Sequence, residues 1–191
     1  MTTNERASPI TILAISGSLR RASLNTALLR AAALLAPENV VIDLYDGLGM
    51  LPHFNPDLED AEPRAVADLR RRVRAADGLL IASPEYAHGV SGVMKNALDW
   101  LVSGEEFVYK PVALLNASPR ATQAYAALLE TVTVMSAYVV AGASITVPVL
   151  GKNPDAREIA GRPEIAQPLR SALAAFATAI RGRRAEAPER E

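Results

Sequence analysis

Apolar positions along the chain alternate between short β-branched runs and longer segments with helical spacing. ITILAIS (Ile10–Ser16) is an unbroken apolar run followed by Gly17, which predicts a buried strand. Beyond it, Leu24, Leu28, Leu29, Ala32 and Leu35 recur at helical intervals and predict a helix over Asn25–Leu35. The same unit returns four times. VVIDL (Val40–Leu44) precedes an Arg-rich amphipathic helix over Pro63–Ala76, and GLLIAS (Gly78–Ser83) precedes GVMKNALDWLV. PVALLNAS (Pro111–Ser118) precedes a helix over Ala121–Met135. YVVAGASITV (Tyr138–Val147), with Gly142 as a candidate bulge, precedes a helix over Pro163–Arg181. Five strand–helix units with continuously apolar strands predict an α/β domain whose parallel sheet is covered on both faces. YDGLGMLPHFNPDLEDAE, rich in Gly, Pro and Asp, is expected to be irregular. The domain is expected over 9–181, with a disordered N-terminus over 1–8 and a charged flexible tail over 182–191.

Composition narrows the chemistry. The 191 residues suit one domain, and a formal net charge of −1 argues against nucleic acid or an anionic membrane as partner. The absence of cysteine excludes thiol catalysis, disulfides and thiolate metal sites. His53 and His88 are the only histidines, so no multi-histidine metal site is expected. No apolar run reaches the roughly 18 residues of a membrane span, and the N-terminus lacks a signal-peptide layout. A cytoplasmic protein is expected.

In parallel sheets ligands bind beyond the carboxyl ends of the strands. Three polar loops leave such ends, over 16–25, 83–92 and 116–123. In the first, ISGSLRRASLN, Ser18, Ser23, Asn25 and Thr26 offer neutral donors, and Arg20 or Arg21 offers a forked cation suited to phosphate. The competing role is simpler: Ser23 or Asn25 caps the helix. Only Gly17 is present where a dinucleotide loop needs three glycines, and no Gly-Lys-Ser/Thr tripeptide follows. A loop rich in side chains suits a terminal monophosphate, as on a mononucleotide or FMN, better than a pyrophosphate. In the second, SPEYAHGVSGVMKNALDW, Pro84 fixes the strand exit, Gly89 and Gly92 admit close approach, and Tyr86 and His88 can border a ring. Trp100 is expected in the core or at a subunit contact, Lys95 in solvent or paired along its helix, and Asp99 in a structural role.

Together these two motifs resemble the NADPH-dependent FMN reductase family, which includes bacterial quinone, chromate and azo-dye reductases. The likeness extends over roughly residues 10–180 and takes in LPHFNPDLED and GKNPD. It implies a flavodoxin-like three-layer sandwich around a five-stranded parallel sheet. It implies bound FMN, NADPH or NADH as co-substrate, and a small-molecule acceptor such as a quinone or flavin. The chemistry would lie on flavin N5, with no catalytic side chain. Ser18, Arg20, Ser23 and Asn25 would bind the FMN phosphate, alongside Thr26. Pro84, Glu85 and Tyr86 would border the isoalloxazine, and Asn116 through Ser118 to Arg120 would close its pyrimidine side. Glu85 has two readings, a proton handler and a helix-start carboxylate. A homodimer or homotetramer is implied, with Ala121–Met135 and LVSGEEFVY as contact surfaces.

The chain departs from the family pattern twice. Ala87 stands where an asparagine is common, and the third loop, NASPRATQAY, lacks a glycine pair. Arg120 there either meets a cofactor phosphate or faces solvent. Three other functions compete. A one-electron flavodoxin-type carrier would need an acidic docking face, which the near-neutral charge does not supply. A hydrolase would need Gly-x-Ser-x-Gly, and HGVSG misses that spacing by one residue. A non-catalytic FMN-binding module would hold the cofactor without turnover.

Overall fold

The computed structural model describes residues 8–151 and 154–186. β1 (Ile10–Ser16), β3 (Gly78–Ala82) and β6 (Pro111–Asn116) form the centre of the sheet and are buried almost throughout. Burial on both faces is what makes them unbroken apolar runs. β2 (Val40–Tyr45), at the edge, alternates buried and exposed positions instead. The order is β2-β1-β3-β6-β7, with β7 (Tyr138–Val139) and β8 (Ile145–Thr146) both on β6, and every pairing is parallel.

Successive strand residues point to opposite faces, so β1 alone feeds two cores. Ile12 and Ala14 join Leu28 and Leu29 of α1 (Leu24–Leu34), Ile159 of α5 (Ala156–Ala160), and Leu169 and Phe176 of α6 (Pro163–Glu186). Leu13 and Ile15 join Leu69 and Val73 of α2 (Arg64–Ala75), Leu98 and Leu101 of α3 (Gly92–Val102), and Leu128 and Val132 of α4 (Thr122–Val134). The expected three-layer flavodoxin-like sandwich is therefore the fold. Trp100 is fully buried, as expected of a core residue, and its indole N–H donates to the Pro52 carbonyl at 2.8 Å. Asn96 donates to the same carbonyl at 2.9 Å and accepts the Phe54 N–H at 2.7 Å, so α3 holds the long loop after β2. Lys95 pairs with Asp99 one helical turn on.

Three elements differ from the sequence expectation. The expected fifth strand is two short strands separated by a 3-10 turn at Ala141–Ala143, with no bulge at Gly142. Ser144 bridges the interruption, accepting the Leu114 N–H and donating to the Val140 carbonyl, each at 3.1 Å. α5 was not expected; a reciprocal capping box between Asp155 and Glu158 starts it. Finally, α6 runs to Glu186, so the first residues of the expected flexible tail over 182–191 are helical. Arg184 anchors this last turn, donating to Asp77 at 2.9 Å and to the carbonyls of Ser8 and Pro9 at 3.1 Å. Residues 187–191, and 1–7 of the expected disordered N-terminus, lie outside the described residues.

Candidate functional site

Between β1 and β3 the strand order reverses direction, and in open α/β sheets this switch point is where ligands bind. The loops after β1, β3 and β6 meet there, and Gly17 lets the first two touch. A Cβ on Gly17 would stand 2.5 Å from Ser83 Oγ and 2.9 Å from both Ser83 Cβ and Ser91 Oγ. The two serine hydroxyls pair at 3.3 Å, and Ser91 caps α3 by accepting the Met94 N–H at 3.4 Å.

In the first loop, Ser23 is the N-cap of α1 and accepts the Thr26 N–H at 3.3 Å. Thr26 Oγ1 lies 2.7 Å from Ser16 Oγ, and Ser18 Oγ accepts the Arg20 N–H at 3.4 Å. The capping role expected of Ser23 is thus real, and its hydroxyl hydrogen stays available to donate.

The second loop folds into a hairpin, β4 (Glu85–Tyr86) against β5 (Gly89–Val90). Its two turn residues, Ala87 and His88, have φ of 48° and 62°, the left-handed pair of a type I′ turn. The asparagine common in the family is the residue that tolerates this conformation, and here alanine bears it. Glu85 Oε2 accepts the Ala124 N–H at 2.9 Å. Of its two readings, the helix-start carboxylate is the one in place, although it serves α4, whose N-cap residue Ala121 has no side-chain acceptor.

Asn116 shapes the third loop without glycine. This buried amide accepts the Ser118 N–H at 3.1 Å and donates to the Ala121 carbonyl at 3.2 Å and to Thr146 Oγ1 at 3.4 Å. Ser118 Oγ in turn accepts the Arg120 N–H at 3.3 Å.

A cavity of about 480 Å³ opens between the three loops and brings together Arg20, Asn25, Pro84, Glu85 and Ser118, with Arg120 also on its wall. Ser18 and Thr26 lie on the β2 side of the first loop, in a cavity of about 560 Å³ that Arg20, Arg21 and Arg30 also line. Ser23 faces α5 across a third, of about 330 Å³. Tyr86 and His88 are exposed on the hairpin and line none of the three. Among the described residues, Arg20, Arg21, Arg30 and Arg120 have no carboxylate partner. Tyr45, on the wall of the second cavity, has its phenol pushed up to about 12, chiefly by burial and then by the nearby Asp68 carboxylate. Lys152 and Asn153 of the GKNPD motif lie outside the described residues.

Sequence reading did not find the roles of Gly17, Ser91 and Asn116 in shaping this site. A lone glycine at a strand end was the only available signal for the first of them.

Among relatives, an NAD(P)H-dependent FMN reductase of Pseudomonas aeruginosa is 46% identical over 112 residues, covering 57% of this chain and 60% of that one. A probable NADPH:quinone oxidoreductase of rice (Oryza sativa subsp. japonica) is 52% identical over 94 residues, covering 47% of this chain and 46% of that one. The chain thus spans about half to three fifths of the length of these curated relatives. Among solved structures, the flavoenzyme NAD(P)H:(acceptor) oxidoreductase FerB of Paracoccus denitrificans superposes with a TM-score of 0.75 at 28% identity, covering 91% of this chain and 98% of that one. The family model for NADPH-dependent FMN reductase matches residues 10–149, which include all three loops of the site. With the switch-point cavity, the first-loop arginine and this match in agreement, the chain belongs to the NADPH-dependent FMN reductase family.

Proposed function

We propose that this protein binds FMN in the cleft at the ends of β1, β3 and β6 and passes reducing equivalents from NADPH or NADH to a small two-electron acceptor such as a quinone or free flavin. The observation that carries this is the cavity itself. It joins Arg20, a guanidinium without a carboxylate partner among the described residues, to the N-terminal turn of a helix at the topological switch point of the sheet. The residues present fit a phosphate-bearing flavin. Among the described residues, Asn25 Oδ1 is buried without a partner, and a half-turn of its amide would put Nδ2, a donor, in its place on a residue of the cavity wall.

Bound FMN would supply the hydride chemistry. The chain's own residues bind and orient. Arg20 and Asn25 hold the phosphate end, with Ser23 and the free N–H groups of the first turn of α1 beside them. Ser18 and Thr26 support the far side of the same loop. Pro84, Glu85 and Tyr86 border the ring system, and Ser118 with the third loop closes it. Glu85 acts here by fixing the start of α4 against the hairpin, so no side-chain proton transfer is assigned to it.

No helix among the described residues is long and apolar enough to cross a membrane. The proposal includes a cytoplasmic location and assembly into a homodimer or homotetramer. Val102, Val108, Tyr109 and Val134 leave apolar side chains exposed around α3 and α4, which supports that face as the contact.

The test is optical. Purified protein incubated with FMN should turn yellow, bleach on addition of NADPH or NADH, and recover its colour with a quinone. A protein that turns yellow but does not bleach with NADPH or NADH would be a binding module. Accumulation of a one-electron state with dithionite would make it a carrier. A colourless protein that takes up no FMN refutes the proposal.

A further inference from the structure

The loops that precede α1 and α4 carry the same short device. Ser18 Oγ accepts the Arg20 N–H at 3.4 Å, and Ser118 Oγ accepts the Arg120 N–H at 3.3 Å. In each loop the serine hydroxyl holds the backbone of the arginine two residues on, directly before the N-cap of α4 for Arg120 and in the loop that leads to the N-cap of α1 for Arg20. Arg20 and Arg120 both line the cavity between the loops. Neither has a carboxylate partner among the described residues. Among the described residues Glu85 is the one carboxylate on the cavity wall, and its Oε2 is engaged by the Ala124 N–H. The partnerless Asn25 Oδ1 belongs to a third residue of the same wall.

Two cations on the wall of one cavity favour an anion within it. A single phosphomonoester, carrying about −1.5 to −2 charges at neutral pH, matches two cations where one would leave it half-neutralised. Each guanidinium presents parallel N–H groups to the phosphate oxygens. Pro119 restricts Ser118 to extended backbone, which limits the freedom of the loop that carries Arg120.

We infer that Arg120 is a second phosphate-binding residue facing Arg20, so that the site grips a terminal phosphomonoester from two sides. This rests on the FMN assignment above. It gives the arginine that stands in place of the family's glycines a function in selecting FMN over riboflavin.

The experiment is an equilibrium titration of cofactor-free protein, read by quenching of flavin fluorescence, with FMN and riboflavin in parallel. Arg120→Ala should weaken FMN binding about ten- to a hundredfold, the range for loss of one charged hydrogen bond, and leave riboflavin binding unchanged. Arg120→Lys should fall between, because an ammonium keeps the charge and loses the fork. An unchanged ratio of FMN to riboflavin affinity in Arg120→Ala overturns the inference, as does an equal loss for both flavins, which would place Arg120 against the ring. Should the unaltered protein bind neither flavin, the FMN assignment fails and inorganic phosphate decides the matter. A rise in melting temperature with phosphate that Arg120→Ala diminishes upholds the two-arginine site, and equal rises in both proteins overturn it.

Discussion

Gly17→Ala is the substitution that the site should tolerate least. The new methyl would come within 2.5 Å of Ser83 Oγ and 2.9 Å of Ser83 Cβ and Ser91 Oγ, closer than non-bonded atoms can stand. Either the first loop lifts away from the second or the two serines separate. Separation breaks their 3.3 Å contact and disturbs Ser91 as the N-cap of α3. Overpacking costs about 1–3 kcal/mol, and loss of a cap costs about 1 kcal/mol more. A total of roughly 2–4 kcal/mol lowers the melting temperature of a domain this size by roughly 4–16 °C. Urea unfolding followed by circular dichroism gives the free energy directly. Ser83→Gly removes the nearest atoms, so the Gly17→Ala/Ser83→Gly double variant should be more stable than the sum of the single effects implies. A Gly17→Ala protein within about 0.5 kcal/mol of the parent would show that the loops are not in contact, and the cavity built on that contact would lose its wall.

Three further outcomes follow from the same geometry. Ala87→Gly should raise the urea midpoint by about 1 kcal/mol of stability without changing the slope, because glycine accepts the left-handed φ of 48° without strain; a lower midpoint counts against the type I′ turn. Glu85→Ala should cost about 1 kcal/mol by uncapping α4 at Ala124, while Glu85→Gln keeps an acceptor and most of the stability; equal losses in the two variants would mean that the carboxylate acts by charge alone. Tyr45, raised from 10.0 to about 12, keeps its proton in the folded state after the unfolded chain has released it, so its contribution is whole below pH 10 and disappears as pH rises from about 10 to about 12. Tyr45→Phe should flatten that alkaline decline, with partly buried Tyr125, also raised, supplying a remainder, and an unaltered decline would refute the assignment.

The elements most legible in the sequence are those whose physics is local or two-sided. β1, β3 and β6 are buried on both faces, so each is an unbroken apolar run, and their alternation with amphipathic helices is enough to predict the layered fold. What escaped depends on partners remote in the chain. The end of α6 carries a charged, tail-like composition because the groups that hold Arg184 are Ser8, Pro9 and Asp77. The fifth strand breaks where a serine hydroxyl stands in for backbone, and no hydrophobic period records that exchange. Glu85 reads as a ring-bordering residue, and its further bond to the Ala124 N–H, which ties the hairpin to the first turn of α4, joins partners too far apart in the chain to leave a local signal.

Hydrogen bonds within the loops also separate the candidate cofactor-binding residues from one another. Ser18, Ser23, Thr26 and Asn116 are polar residues in or beside the strand-to-helix junctions, and each already spends an acceptor or donor on shaping a loop. Spacing shows which loops converge, but it does not show which polar atoms remain free once the loops have bonded to themselves and to one another. Inside the shared cavity the polar side chains left without an internal partner among the described residues are Arg20, Asn25 and Arg120. Two of them are cations, and the third has an orphaned amide oxygen that a flip would replace with a donor. Binding energy for an anionic ligand should therefore concentrate on these three, with the serines and Thr26 acting mainly through the shape they impose.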